Sequence, residues 1–385
     1  MLEKAFKGSS RYWGLVGFLI VLAAVGVITY LRQFSQGLTI TGLSRDVPWG
    51  LYIAQLTFMV GVAASAVMVV LPYYLHDYKK FGKIVILGEC LAISAVIMCM
   101  AFVFVDMGQP MRVLNIALHP TLNSPMFWDM VSLGGYLVLN AVIAYVTFGA
   151  EKKGVAPPQW IRPVIIVSIP WAVSIHTVTA FLYCGLEARH FWLTAILAPR
   201  FLASAFAAGP SILIIMCLII RKYTRFDAGD EAIGKLGQIV TYAMAVNIFF
   251  VGLELFTGLY SDIPSHVHHF EYLYLGYHGH NALAPWMWAS SAIGIVALIM
   301  LLFPGIRRNT SLLAVACVGV VVSLWIEKGL GMVIAGFVPN PLMHVTEYHP
   351  TAPEIAITLG VYGLGFLILT ILYKVAVTVR EELEA

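Results

Sequence analysis

The 385-residue chain is 60% apolar and only 11% charged, with a formal net charge of +3. Soluble domains carry about 45–50% apolar and about 25% charged residues, so a soluble enzyme and a disordered chain are both excluded. The net charge is too small for a phosphate-binding footprint, which removes nucleic acid from the expected partners. The five cysteines, Cys90, Cys99, Cys184, Cys217 and Cys317, stand singly in apolar stretches. Without a CxxC, a CxxCH or a cluster, they offer no iron–sulfur ligation, no covalent haem and no disulfide framework.

A bilayer core takes about 20 apolar residues as helix. In chain order, ten runs meet that length: Tyr12–Leu31, Val47–Leu75, Ile84–Val105, Met126–Gly149, Ile161–Cys184, Phe201–Ile220, Leu236–Tyr260, Leu283–Phe303, Ser311–Val338 and Ile355–Tyr373. The expected fold is an all-α membrane protein of ten transmembrane helices. The first run lacks a small-residue cleavage site and is long enough to span, so it is not read as a signal peptide. The loops after runs three and seven both open with an acid, Asp106 and Asp262. That likeness suggests two four-helix bundles, of runs two to five and six to nine. The expected divisions are residues 1–46 (first helix and outer loop), 47–184 (first bundle), 185–338 (second bundle) and 339–385 (outer loop, last helix and tail).

Lysine and arginine set the orientation. Seventeen lie on the side of the termini and five on the other, with Lys328 inside the ninth run. The positive-inside rule then makes both termini cytoplasmic, in the inner membrane. The opposite loops are longer and hold nine of the eleven histidines, as expected of a docking floor for an outer partner.

Ionisable groups inside a bilayer are costly, so each is a functional candidate, with an interhelical hydrogen bond as the bland alternative. Toward the outer side of runs two to five stand Gln55, Asp106, Arg112, His119, Trp128, Asp129 and His176. Their common depth suggests a site for a ligand with a hydrogen-bonding head and an apolar body. Arg112 would neutralise Asp106, His176 would donate to a ligand carbonyl, and Asp129 would relay protons. Asp46 and Arg45 read as a helix cap and lipid head-group contacts. Glu89 lies 17 residues before Asp106, roughly 25 Å along a helix. With Glu254 and Glu327 it is a candidate for a proton path. Asn247 and Glu254 share a helical face, and these two and Glu327–Lys328 of the ninth run read as pairing with each other across helices.

His176 is the only histidine deep in a run, so a bis-histidine haem is not expected. The alternating His266, His268, His269, His278 and His280 have few acids nearby; they read as loop residues, on opposite sides of a strand, rather than a metal cage. A haem-free membrane chain with a polar pocket and an outer docking face suggests a quinone module, because quinone chemistry needs a proton relay and an external electron partner.

The motifs agree. Arg45-Asp46-Val47-Pro48-Trp49-Gly50-Leu51-Tyr52-Ile53, then Phe58-Met59-Val60-Gly61-Val62-Ala63-Ala64-Ser65-Ala66, resembles the opening of the NrfD/polysulfide-reductase membrane-subunit family. Asp106-Met107-Gly108-Gln109-Pro110-Met111-Arg112 is similar to that family's Asp-x-Gly-x-Pro-x-Arg. Pro170-Trp171-Ala172-Val173-Ser174-Ile175-His176-Thr177-Val178, Ala198-Pro199-Arg200-Phe201, Gly209-Pro210, Glu271-Tyr272-Leu273 and Ala284-Pro285-Trp286-Met287-Trp288 resemble its ten-helix branch, DsrP-type subunits of sulfur metabolism most closely. The resemblance implies a haem-free subunit exchanging electrons between menaquinone and an outer-side ferredoxin-like iron–sulfur subunit. Other membrane and haem-bearing subunits would complete the complex, and proton translocation would be an added activity. Asp106 and Arg112 match the family's pocket motif and His176 its helix-five motif, so Asp106, Asp129 and His176 are the expected catalytic residues. Gln109 stands where many relatives carry a basic residue. A secondary transporter and a purely structural anchor are the rival readings.

Overall fold

A computed structural model describes residues 2–6 and 8–384. The helices in chain order are α1 (Ser10–Gln36), α2 (Leu51–Leu75), α3 (Gly82–Asp106), α4 (Pro125–Lys152), α5 (Ile161–Cys184), α6 (Leu197–Tyr223), α7 (Asp230–Ser261), α8 (Pro264–Tyr274), α9 (Ala284–Leu302), α10 (Thr310–Ala335) and α11 (Ala352–Glu384). Among the described residues, all of these except α8 are long and apolar enough to cross a membrane, ten in number, so this is a multi-pass integral membrane protein. No β-strand occurs among the described residues. A helix satisfies its own backbone, which is why such runs adopt it in lipid.

Local signals set the ends. Ser9 caps α1 by accepting from the Tyr12 amide, and Asn309 caps α10 by accepting from Ser311 and Leu312 at 3.1 and 3.2 Å. Pro125, Pro264 and Pro285 occupy first turns, where a missing N–H costs nothing. Asp230 and Glu231 open α7 and complement its dipole.

Three boundaries depart from expectation. α6 begins at Leu197, which takes Arg200 out of the loop and into the helix. The outer loop of residues 261–282 contains α8, so His266, His268 and His269 follow a helical period and not a strand, while His278 and His280 lie in the turn beyond it, where Tyr277 and His280 form an isolated bridge. The ninth run has a π-helical turn, Trp325–Gly331, inside α10.

The helices pack in pairs: α1 on α11, α2 on α3, α4 on α5, α6 on α7 and α9 on α10. α6 also packs on α2, α5 and α10, and the π-turn lies against α2. Nearly every residue of α2 is buried, whereas α1 shows most of its surface. The loops between α1 and α2 and between α10 and α11 are stitched together at the end of the molecule opposite the termini, here the distal end. Glu354 accepts from the Gly42 and Thr351 amides at 2.7 and 2.8 Å and from the Tyr348 hydroxyl at 2.7 Å. That hydroxyl in turn accepts from the Leu51 amide at 2.8 Å. Asp46 does not cap α2. It accepts from Thr346 and Asn340 of the other loop at 2.9 and 3.3 Å, which holds its carboxyl below the usual carboxylate range.

Candidate functional site

The polar residues singled out in the sequence separate into several places. Asp129 lies in the second turn of α4, and His176 and Thr179 lie on the facing α5. All three are buried. The Thr179 hydroxyl donates to Asp129 Oδ1 at 2.7 Å. His176 Nδ1 lies 3.1 Å from the Ala172 carbonyl. A carbonyl only accepts, so Nδ1 carries the proton, and Nε2 of the neutral ring is a bare lone pair. Nε2 is buried without a partner. The expectation that His176 donates to a ligand carbonyl is therefore corrected: neutral His176 offers an acceptor.

Above this group, toward the distal end, sits an aromatic cap. Tyr183, seven residues beyond His176 on the same face of α5, is hydrogen-bonded to Thr57 of α2. Its ring packs edge-on against Trp49, Trp192 and Phe201 at 5.4, 4.9 and 5.9 Å. Cys99 of α3 is buried beside α2, its Sγ 3.9 Å from the Leu56 carbonyl.

Asp106 ends α3 beside a different chain of bonds. The Tyr52 hydroxyl donates to Gln33 Oε1 at 2.8 Å, and Gln33 Nε2 donates to the Val105 carbonyl at 2.6 Å. Asp106 Oδ1 is buried and unpartnered. The expected Asp106–Arg112 pair does not form. Arg112 and His119 are exposed in the loop after α3, because that segment turns outward through a short helix, Asn115–Leu118. Trp128 is 46% exposed and donates to the Leu122 carbonyl at 2.8 Å. These three do not join Asp129 and His176.

Gln55 points away from them as well. Its Oε1 accepts from Trp325 Nε1 at 2.7 Å and from the Tyr362 hydroxyl at 2.6 Å, while Nε2 is buried without a partner. Trp325 and Tyr362 border an apolar cavity of about 350 Å³, lined further by Phe58, Met98, Ile212 and Phe366.

The sequence reading missed a buried charge cluster. Arg200 of α6 pairs with Glu254 of α7 and with Glu327 of the π-turn. The expected pairing between the seventh and ninth runs is thus made through Arg200, and Lys328 turns elsewhere. Its Nζ lies 3.4 Å from the Phe201 carbonyl and 4.4 Å from the centre of the Phe201 ring. The sequence had singled out Glu254 and Glu327 inside apolar runs but placed Arg200 in a loop, so their shared cation went unseen. Glu89 is remote from this cluster, one to two turns into α3 at the terminal end. Both its oxygens are unpartnered, beside the Arg380–Glu151 pair of 2.5 Å. Glu89, Glu254 and Glu327 thus form no continuous file.

In the distal loops, His269 is buried and bonds the Val338 carbonyl through Nδ1 at 3.0 Å. Burial pushes it down to about 4. Among the described residues, no group of His, Cys, Asp and Glu could hold a metal ion.

Comparison with known proteins agrees with this architecture. A Halobacterium salinarum protein assigned as the membrane subunit of a dimethyl sulfoxide reductase is 24% identical, over 92% of this chain and 89% of its own length. The menaquinone reductase integral membrane subunit of Nitratidesulfovibrio vulgaris is 20% identical, over 97% and 94%. The Hdr-like menaquinol oxidoreductase integral membrane subunit of Archaeoglobus fulgidus is 23% identical, over 65% and 62%. Residues 39–339 match the family described as polysulphide reductase, NrfD, and the chain belongs to that family.

Proposed function

We propose that this chain is the quinone-reactive membrane subunit of a multi-subunit oxidoreductase, exchanging electrons between menaquinone and an iron–sulfur partner docked on the distal loops. Both termini are then cytoplasmic and the membrane is the inner one, in keeping with the basic loops at the terminal end. The reading is supported by one arrangement above all: Asp129 and Thr179 are hydrogen-bonded between facing helices, and His176, one turn from Thr179 on the same helix, has a free imidazole nitrogen, all three buried. Names of relatives that act on menaquinone or menaquinol point the same way.

The residues fit a quinone head group in that His176 Nε2 is an orphaned buried atom. A bound quinone supplies two-electron, two-proton chemistry. His176 Nε2 is placed to take a proton. Asp129 is positioned by Thr179 and is the next carboxylate to receive it. Trp49, Tyr183 and Trp192 keep water from the distal side.

The test is menaquinol turnover in the complex isolated from native membranes. Asp129→Asn and His176→Phe are each expected to slow it by about 10²-fold or more, as loss of a proton-transfer group does, with subunit composition unchanged. Wild-type rates in both variants would move the site elsewhere, first to the cavity beneath Gln55.

A further inference from the structure

The apolar cavity bordered by Trp325 and Tyr362 has a floor and a rim of different character. Phe58, Met59 and Val62 of α2 and Leu91 and Met98 of α3 form the floor, and all five are buried. Ile215 of α6, Val322 of α10 and Phe366 of α11 form the rim and are partly exposed, Val322 to 38%. The rim continues into the outer surface of the spans. Val318, one turn before Val322, is 48% exposed, and Ile219, one turn beyond Ile215, is 45% exposed. The cavity therefore opens sideways, between spans.

Its depth decides what it opens onto. Leu91 and Met98 lie on either side of the middle of α3, each within about 6 Å of it along the axis. Hydrocarbon extends about 15 Å to either side of a bilayer's centre. The mouth thus meets lipid chains, and neither head groups nor water.

The lining offers nothing to a polar ligand. Its two hydrogen-bond donors, the Trp325 indole and the Tyr362 hydroxyl, are both spent on Gln55 Oε1 at 2.7 and 2.6 Å. Gln55 itself is fully buried and does not line the space. A quinone head there would find no donor for its carbonyls. The surrounding packing is tight, since a Cβ on Gly365 of α11 would lie 2.2 Å from Met98 Sδ. An apolar void of about 350 Å³ in such walls stays dry and forfeits dispersion contacts. Hydrocarbon restores those contacts with no polar group to desolvate. Met59, Met98 and Met216 give the cavity walls that adapt to a chain of no fixed shape.

We propose that this cavity is a binding site for one hydrocarbon chain of a bilayer lipid, which enters between α6, α10 and α11 and packs on the buried faces of α2 and α3. Continuity of the rim with the lipid-facing surface names the occupant. The proposal is independent of the quinone reading and of the site at Asp129 and His176.

The test uses the complex isolated from native membranes and reconstituted in nanodiscs of phosphatidylcholine with a diazirine at mid-chain. After illumination, peptide mass spectrometry maps the adducts. Adducts on Phe58, Met59 or Val62 report a chain inside the cavity, because α2 is otherwise enclosed by protein. Adducts on α1, which shows most of its surface, report ordinary contact with surrounding lipid. Wild type is expected to carry both. Val62→Phe fills the cavity and should lower the α2 adducts about 10-fold or more, with those on α1 unchanged. Should that variant not assemble, Ile215→Phe narrows the cavity from the rim with the same readout, and the wild-type result stands without any variant. Absence of α2 adducts in wild type, or their survival in the filled variant, overturns the proposal. So does their loss on adding stoichiometric long-tailed menaquinone, which would assign the cavity to the quinone instead.

Discussion

Trp325 donates its indole N–H to Gln55 Oε1 at 2.7 Å, across 270 residues of chain. The Tyr362 hydroxyl donates to the same oxygen at 2.6 Å, so a single amide ties α2 to α10 and α11. Replacing Gln55 with Leu leaves two buried donors without an acceptor. An unsatisfied buried group costs about 1–3 kcal/mol in water-soluble proteins, and interhelical bonds in membranes average about 0.6 kcal/mol. Gln55→Leu is expected to cost about 1–2 kcal/mol, between these ranges. Tyr362→Phe should cost less, since it removes one donor and leaves the acceptor with another. Thermal unfolding in detergent ranks the two.

Among the described residues, Arg200 is the single cation paired with Glu254 and Glu327. Arg200→Met strands two carboxylates in the bundle and should cost about 3–5 kcal/mol, enough to lose most folded protein. Changing all three, Arg200→Met with Glu254→Gln and Glu327→Gln, should restore much of the yield, because neutral replacements for a buried ion network are often tolerated. Size-exclusion yield of single and triple variants distinguishes this from a simple loss of side-chain volume, which the triple variant would share.

His269 carries a pH signature. Its folded value of about 4 lies below the ordinary histidine value of 6.5. Between the two the unfolded chain binds more protons, so stability is full above about pH 6.5 and falls as pH drops toward 4. The loss saturates near ~3 kcal/mol. His269→Phe, if it folds, should flatten the stability profile over that interval, and a slope identical to wild type counts against it. Asp46 adds a separate loss at lower pH, as its depressed carboxyl protonates and releases Thr346 and Asn340.

Gly26 and Gly360 let α1 and α11 touch backbone to backbone. A Cβ on either would clash with the other's Cα. Small residues at such crossings substitute for the hydrophobic drive that lipid removes. Gly360→Leu should separate α1 from the rest, seen as proteolytic release of an N-terminal fragment after nicking of the α1–α2 loop. Gly14→Leu, with nothing within 4 Å, should not.

The ten spans were legible because length and apolarity alone demand them. Burial was legible too: Asp129 and His176 are both enclosed, and Thr179 of α5 donates to Asp129 of α4. Direction around each helix was not. α2 is apolar on every side, so nothing in its sequence says that Thr57 faces Tyr183 while Gln55 faces Trp325. Arg112, His119 and Trp128 were grouped with Asp129 by position in the chain, but the outward turn after α3 depends on tertiary packing. The Arg200 bridge was hidden for the same reason. It joins residues 54 positions apart, and the boundary of α6 had to be drawn four residues earlier for Arg200 to count as buried.

The burial of α2 bears on the order in which the molecule is made. Its neighbour α3 follows at once, but α6 and α10 come long after it in the chain, so Gln55 precedes its partners Trp325 and Tyr362 by 270 residues or more. The apolar surface of α2 on all sides suits that interval more than the finished fold, where lipid scarcely touches it. The final helices then arrive as a closing set: Trp325 and Tyr362 reach an amide that has been waiting since the second span. A chain stopped before α10 would expose that amide and the flank of α2, the kind of surface that membrane quality-control proteases recognise. The last two of the ten spans thus supply the partners of a residue in the second.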